Sequence, residues 1–149
     1  KNRKIYCDIF GLKALRLAIK NNVHGIKIHS SDLENEELIK AVPKNMKVLL
    51  SCGGSSLFDI SKAINLLNEK GIKPVLMHGF QAYPTNIRDI NFNRFKLLIN
   101  QFNNKASIGF QDHTSGSDKI NFYLPTLAVG MGATYIEKHI TFNRAKKKS

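Results

Sequence analysis

A regular alternation of short β-type runs with helix-type segments is the feature that most constrains this chain. Six β-type runs lie at residues 5–9, 25–29, 47–50, 75–78, 107–110 and 134–140. Segments with helical periodicity separate them, at residues 12–19, 35–41, 56–68, 93–102 and 120–129. This order is typical of an α/β protein with a parallel sheet and crossover helices. One helix start is marked in detail, because Ser56 and Asp59 form a capping-box pattern and Gly71 follows as a stop.

Length and cysteine content bound the class of protein. The chain has 149 residues, of which 42% are hydrophobic, so it is long enough for one globular domain with a core. No apolar run approaches the roughly 20 residues of a membrane span, and we expect no membrane partner. Cys7 and Cys52 lie outside any CxxC spacing, which favours a reducing cytoplasm over a disulfide framework.

The charge narrows the choice of partner. A formal net charge of +12 indicates either a polyanionic partner or an anionic small substrate. The basic block at residues 144–148 lacks the interleaved aromatic residues of a single-strand binder, so we interpret it as a solvated end. We expect no nucleic-acid partner; a basic nucleic-acid module ranks third, and a steep salt dependence of binding would reveal it.

Two parallel-sheet architectures compete, the doubly wound sheet and the closed barrel. Residues 52–56 do not supply the GxGxxG that a dinucleotide fold places after its first strand. Polar residues instead follow strand after strand, where barrel enzymes have their active sites: Asp8, Lys27, His29, Ser30, Ser51, His78, Gln81, Asp112, His113, Glu137 and His139. The pattern favours a (β/α)8 TIM-type barrel.

Side-chain alternation predicts which face of each strand carries this polarity. In residues 25–29 the isoleucines share one face while Lys27 and His29 share the other, and Glu137 and His139 share a face in residues 136–140. Helices should cover the apolar face. The charged face would then point into the barrel mouth, where charge is costly and usually functional.

Five ordered motifs carry a family resemblance. They lie at residues 27–30, 50–55, 77–85, 109–114 and 136–141, and together they resemble the N-acetylneuraminate (sialic acid) synthase barrel from its third strand to its eighth. The resemblance implies an incomplete (β/α)8 TIM-type barrel of about six βα units. Residues 1–149 would form a partial synthase domain that lacks the family's first two strands and its C-terminal antifreeze-like domain. We expect this segment alone to be inactive and prone to aggregate.

The same resemblance implies roles for individual residues. Those matched to substrate binding are Lys27, Ser30, Ser51, Gln81 and Gln111. Asp32 and Tyr83 match catalytic positions, although Tyr83-Pro84 also fits a simple loop stiffener. His113 and His139 match the metal ligands, which implies a divalent cofactor, Mn²⁺ or Mg²⁺.

Some neighbouring residues have structural interpretations as well. We expect His78 to be a buried, hydrogen-bonding histidine, and Asp112 either to orient His113 or to touch the substrate. Cys52 is not expected to act as a nucleophile, because no histidine is close to it in sequence. Gln111, Gly79-Phe80 and Cys52 depart from the family pattern, and they leave the identity of the sugar open.

The implied function is a synthase that condenses phosphoenolpyruvate with an N-acetylated amino sugar, giving a nonulosonic (sialic-type) acid and phosphate. Two alternatives stand beside it: another phosphoenolpyruvate-dependent or aldol-type barrel enzyme, and a non-catalytic anion- or sugar-binding barrel fragment. The enzyme would be cytoplasmic. The resemblance leaves a homodimer open for the full-length form.

Overall fold

The computed structural model describes residues 3–140 and Phe142; the basic block at 144–148 lies outside them. The described strands are β1 (Tyr6–Ile9), β2 (Gly25–Ile28), β3 (Lys47–Ser51), β4 (Val75–His78), β5 (Ser107–Asp112) and β6 (Tyr135–Lys138). The described α-helices are α1 (Gly11–Lys20), α2 (Glu36–Ala41), α3 (Leu57–Glu69), α4 (Phe92–Phe102) and α5 (Leu124–Gly130). Single 3₁₀ turns lie at Ser30–Asp32, Ile87–Asp89 and Lys119–Phe122.

The strands form one parallel sheet in the order β1-β2-β3-β4-β5-β6. Sequential neighbours are always adjacent in space, which is the arrangement of a singly wound barrel rather than a doubly wound sheet. A crossover helix follows each of the first five strands. The predicted parallel α/β architecture is therefore confirmed.

A single ion pair shows that the sheet curls. Lys27 Nζ on β2 lies 2.9 Å from Glu137 Oε1 on β6, although four strand-to-strand steps separate the two strands. In a flat sheet those steps of about 4.8 Å each would separate the backbones by about 19 Å. The sheet must bend until β2 faces β6, as in a partial (β/α) barrel.

The two faces of the curled sheet differ as the alternation predicts. Ile26 and Ile28 are buried in the apolar cluster that the helices cover, whereas Lys27 between them turns to the barrel interior. On β5, Phe110 packs against Phe92 and Phe95 of α4, with ring centroids 5.5 and 5.9 Å away. The core therefore sits between sheet and helices, and the concave face is left for polar groups.

Local signals explain where the helices begin and end. The Ser56 side chain accepts a hydrogen bond from the Asp59 backbone N–H, as the capping pattern predicts, and Gly71 follows α3 with a φ of 76°. The predicted continuous helix at 120–129 is wrong, because a 3₁₀ turn ends at Phe122 and α5 starts at Leu124. Pro125 at the start of α5 has no N–H to bond to the preceding turn.

Among the described residues, the helices are all too short or too polar to span a lipid bilayer.

Candidate functional site

A group of polar side chains gathers at the carboxyl ends of the strands, inside the curl. We call it the barrel-mouth cluster, and its members are Asp8, Lys27, Ser51, Gln81, Tyr83, Gln111, His113, Glu137 and His139. They come from β1, β2, β3, β5, β6 and the loops after β4, β5 and β6. Only the curled parallel topology brings them together.

An ion triad lies at the centre of the cluster. Lys27 Nζ is 3.0 Å from Asp8 Oδ2 and 2.9 Å from Glu137 Oε1, and the lysine side chain is only 13% exposed. Burial by itself would lower the pKa of Lys27, but the two carboxylates outweigh it and raise that pKa. Burial likewise opposes ionisation of Glu137, yet His113 and Lys27 lower its pKa to about 2. Lys27 and Glu137 are thus both ionised at neutral pH.

A chain of neutral donors and acceptors extends the triad across the concave face. The Gln81 amide donates to Ser51 Oγ at 3.2 Å, and Ser51 Oγ donates to Gln111 Oε1 at 2.9 Å. Gln111 Nε2 then donates to Glu137 Oε1 at 3.2 Å. Ser51 and Gln111 are buried, so their rotamers are fixed by these bonds.

Two imidazoles lie at the rim of this chain. The ring centroids of His113 and His139 are 5.2 Å apart, with the planes nearly perpendicular. His113 Nδ1 donates to the Phe80 carbonyl at 2.9 Å, and its Nε2 lies 3.9 Å from Glu137 Oε1. Tyr83 stacks on His139 at 4.6 Å between centroids.

The surroundings shift the pKa values of the two imidazoles in opposite directions. The neighbouring Glu137 carboxylate raises the pKa of His113 against the effect of burial. Burial, and then the nearby His113, lower the pKa of His139. His139 is thereby favoured in the neutral form that a metal ion requires.

The described residues bring two possible metal ligands together, His113 and His139. The Phe80 carbonyl fixes Nδ1 of His113, which is how metal-binding histidines are usually oriented, and Nε2 lies beside the Glu137 carboxylate. Among the described residues no group of three or more His, Cys, Asp and Glu side chains is placed to hold an ion. Two imidazoles without further ligands suit an octahedral ion with positions open to water and substrate, rather than a closed structural zinc site.

Two of the predicted site residues stand outside the cluster. Asp32 accepts a hydrogen bond from the backbone N–H of Gly11, at the start of α1, and another from the Asn35 side chain. Ser30 begins the 3₁₀ turn that follows β2. Both lie at the carboxyl end of the strands, and their substrate roles stay predictions.

Two residues near the cluster, His78 and Asp112, make their hydrogen bonds outside it. His78 is 4% exposed, its Nε2 donates to the Ile90 carbonyl at 2.8 Å, and its ring stacks on Phe95, so the prediction of a buried structural histidine is confirmed. Asp112 bonds to Thr114 and to Lys138. The Phe80 carbonyl, and not Asp112, therefore orients His113.

Glu137 received no substrate, catalytic or metal role from the sequence, although it contacts three members of the cluster. It contacts Lys27, Gln111 and His113. The available signal was its shared face with His139. Its partner Lys27 is 110 residues away in sequence, so the pairing needs the curled sheet.

Comparison with known proteins gives consistent matches. The sequence model described as "NeuB family" matches residues 2–149. An uncharacterised protein from Methanocaldococcus jannaschii is 36% identical, over 89% of this chain and 38% of its own length. The N,N'-diacetyllegionaminic acid synthase of Campylobacter jejuni is 31% identical, over 91% of this chain and 40% of its own length.

A solved structure matches the fold as well as the sequence. The N-acetylneuraminic acid (sialic acid) synthetase from Leptospira borgpetersenii, crystallised with citrate, aligns with a TM-score of 0.79 and 32% identity. The alignment covers 93% of this chain and 46% of that one. The present chain spans about two fifths of the length of the curated relatives.

Proposed function

Because this chain belongs to the NeuB family, we propose that the full-length protein condenses phosphoenolpyruvate with an N-acetylated amino sugar. The products would be a nonulosonic, sialic-type acid and inorganic phosphate. The observation that carries the proposal is the barrel-mouth cluster, in which a partly buried lysine, amide and hydroxyl donors, and two adjacent imidazoles share one concave surface. The relative from Campylobacter jejuni is itself named a synthase of such an acid.

Lys27 is the residue we assign to the anion of phosphoenolpyruvate. An ammonium group has three N–H donors, and Asp8 and Glu137 engage two of them. The third remains for a phosphate or carboxylate oxygen, and the two carboxylates hold Nζ in place. Ser51, Gln81 and Gln111 would supply neutral donors beside it, with Ser30 at the adjacent turn.

His113 and His139 are the residues that would hold Mn²⁺ or Mg²⁺. Such an ion supplies Lewis-acid polarisation of the open-chain sugar aldehyde. Tyr83, stacked on His139, would restrict where the sugar lies. Asp32 would contact the sugar from the rim.

The reaction balances with water as the third reactant. Carbon 3 of phosphoenolpyruvate forms a bond to the aldehyde carbon, and water adds its oxygen at carbon 2. The bond from carbon 2 to the phosphate oxygen then breaks, leaving a keto acid and inorganic phosphate. The protein mainly positions two polar reactants and stabilises developing charge. We assign this reaction to the cytoplasm, since free Cys7 and Cys52 fit a reducing compartment.

The test uses the full-length protein with phosphoenolpyruvate, Mn²⁺ and a panel of N-acetylated amino sugars. We expect equal amounts of inorganic phosphate and of a new keto acid, identified by its mass, and neither without the sugar. Condensation with pyruvate in place of phosphoenolpyruvate would instead establish an aldol-type barrel. Binding of both reactants without turnover would establish the non-catalytic alternative.

A further inference from the structure

A second concave feature lies beside the barrel mouth, between the loops that follow β3 and β4. It is a cleft of about 330 Å³, within the usual size of small-molecule sites. Its polar and glycine lining includes Gly53, Gly54, Arg88, Asp89, Asn91 and Arg94. None of these residues belongs to the barrel-mouth cluster.

The charge of the cleft is positive. Arg88 and Arg94 both line it, and Asp89 supplies one negative charge against them. The ion pairs found among the described residues involve lysines and one histidine. Neither arginine is part of them, so within that part of the chain no carboxylate neutralises either guanidinium group.

The backbone adds to this positive character. Gly53 and Gly54 form the turn just before α3, a helix of 13 residues, and Asn91 caps the start of α4, a helix of 11 residues. The start of α4 therefore borders the cleft, and helix starts attract anions through their free N–H groups and dipoles. Arg94 also donates to the Ser55 carbonyl, which holds its guanidinium beside the glycine turn.

A buried polar atom adjoins the same cleft. His78 lines it, and His78 Nδ1 has no hydrogen-bond partner among the described residues. Because Nε2 donates to the Ile90 carbonyl, Nδ1 of the neutral ring is an acceptor. A hydroxyl donor would satisfy it, and both a singly protonated phosphate and a sugar carry such a donor.

We propose that this cleft is a phosphate-binding site, separate from the barrel mouth, in which Arg88 and Arg94 hold the phosphate group. The group comes either from a phosphate monoester of a sugar or from inorganic phosphate. Contacts between the two loops form the wall between the sites, since a Cβ added to Gly53 would lie 2.4 Å from the Gly79 carbonyl and 2.6 Å from Gln81 Nε2. The inference does not depend on the reaction proposed above.

The test is calorimetric titration of the full-length protein with inorganic phosphate and with N-acetylglucosamine 6-phosphate. Arg88→Gln and Arg94→Gln should each raise the Kd for phosphate at least about tenfold, because each removes a charge-assisted hydrogen bond. Lys27→Met, which alters the barrel mouth alone, should leave the arginine-dependent part of this binding unchanged. Arg16→Gln, on the exposed side of α1, is the matched control for net charge and should also have no effect.

The two probes separate the sources of the phosphate group. Arginine-dependent binding of the sugar phosphate, in competition with inorganic phosphate, would identify the monoester as the ligand. Arginine-dependent binding of inorganic phosphate alone would identify the free anion. Phosphate binding that is lost in Lys27→Met and intact in both arginine variants would overturn the proposal, as would an equal loss in Arg16→Gln. Arg88 is exposed, so Arg88→Gln decides the question even if Arg94→Gln destabilises the fold.

Discussion

The two faces of the curled sheet hold their side chains in different ways. Toward the helices, Ile28 and Phe110 are almost completely buried among apolar neighbours. Toward the barrel interior, their chain neighbours Lys27 and Gln111 bond to the same carboxylate of Glu137. One residue step along a strand therefore separates side chains that stabilise the fold from side chains available to a ligand.

The largest expected effect lies on the outer face. Phe110→Ala removes a ring that packs against Phe92 and Phe95, and the cavity should lower the free energy of unfolding by about 3–5 kcal/mol. Urea denaturation followed by circular dichroism measures this change.

Gln111→Ala on the same strand is the matched control for the inner face. It removes contacts to Ser51 and Glu137, so we expect a smaller stability loss and weaker binding of phosphoenolpyruvate. If Gln111→Ala is as destabilising as Phe110→Ala, the two faces do not differ in their contribution to stability.

The outer face is also the part that the sequence predicts best. The six predicted β-type runs overlap the six described strands, because periodicity and turn residues act within a few positions along the chain. The differences lie at ends: β5 continues to Asp112, and β6 stops at Lys138. The break before α5 was missed because the apolar pattern continues across it, while Pro125 sets the actual start.

The inner face could be predicted only in part. Alternation alone places Lys27 and Glu137 inside, as the structure shows. That they bond to each other depends on how far the sheet curls, a property of the whole barrel that no local pattern encodes. The cleft of Arg88 and Arg94 is likewise formed by two loops that meet only in the fold.

The next largest effect is expected on the Mn²⁺ requirement of the proposed reaction. His113→Ala and His139→Ala each remove one of two adjacent imidazoles. The Mn²⁺ concentration for half-maximal activity should rise about 100-fold or more. Loss of a residue that only hydrogen-bonds to a metal ligand already lowers metal affinity about 10–100-fold. Activity after chelation, titrated with Mn²⁺, measures it.

His24→Ala provides the control for losing an imidazole. That residue accepts a hydrogen bond from the Ile5 backbone at the opposite end of the strands, so its removal should leave the metal requirement unchanged. Turnover that needs no metal in both site variants would show that His113 and His139 are structural.

A somewhat smaller effect is expected on the affinity for phosphoenolpyruvate. Lys27→Met keeps the apolar stem and removes the charge, so binding in the full-length protein should weaken by about 1.5–3 kcal/mol, the worth of a charge-assisted hydrogen bond. Calorimetry with phosphoenolpyruvate measures the Kd.

Lys47→Met is the matched control, because Lys47 also faces inward but lies over the Tyr135 ring at the amino end of β3. Its affinity for phosphoenolpyruvate should equal that of the wild type. Equal losses in both variants would mean that net charge, and not the position of Lys27, attracts the anion.

The smallest effect is expected at Cys52, which adjoins Ser51 but belongs to the outer apolar cluster. Its thiol is fully buried and donates to the Met77 carbonyl, and burial raises the pKa of Cys52 to about 12 from a usual value near 9.0. A thiol that stays protonated at neutral pH is a poor nucleophile. Cys52→Ala should therefore retain activity and lose only about 1 kcal/mol of stability at pH 8, the usual size of a single-residue effect.

The pH dependence of the stability difference between the wild type and Cys52→Ala tests directly whether the Cys52 thiol is buried. Below pH 9 the thiol is protonated in both the folded and the unfolded chain. As the pH rises from about 9 to about 12, the thiol ionises only in the unfolded chain, so the wild type loses stability relative to Cys52→Ala. We expect the difference in unfolding free energy between the two proteins to be smaller at pH 10.5 than at pH 8. A difference that stays constant would place this side chain on the accessible inner face. Alkylation of Cys52 in the folded protein would lead to the same conclusion.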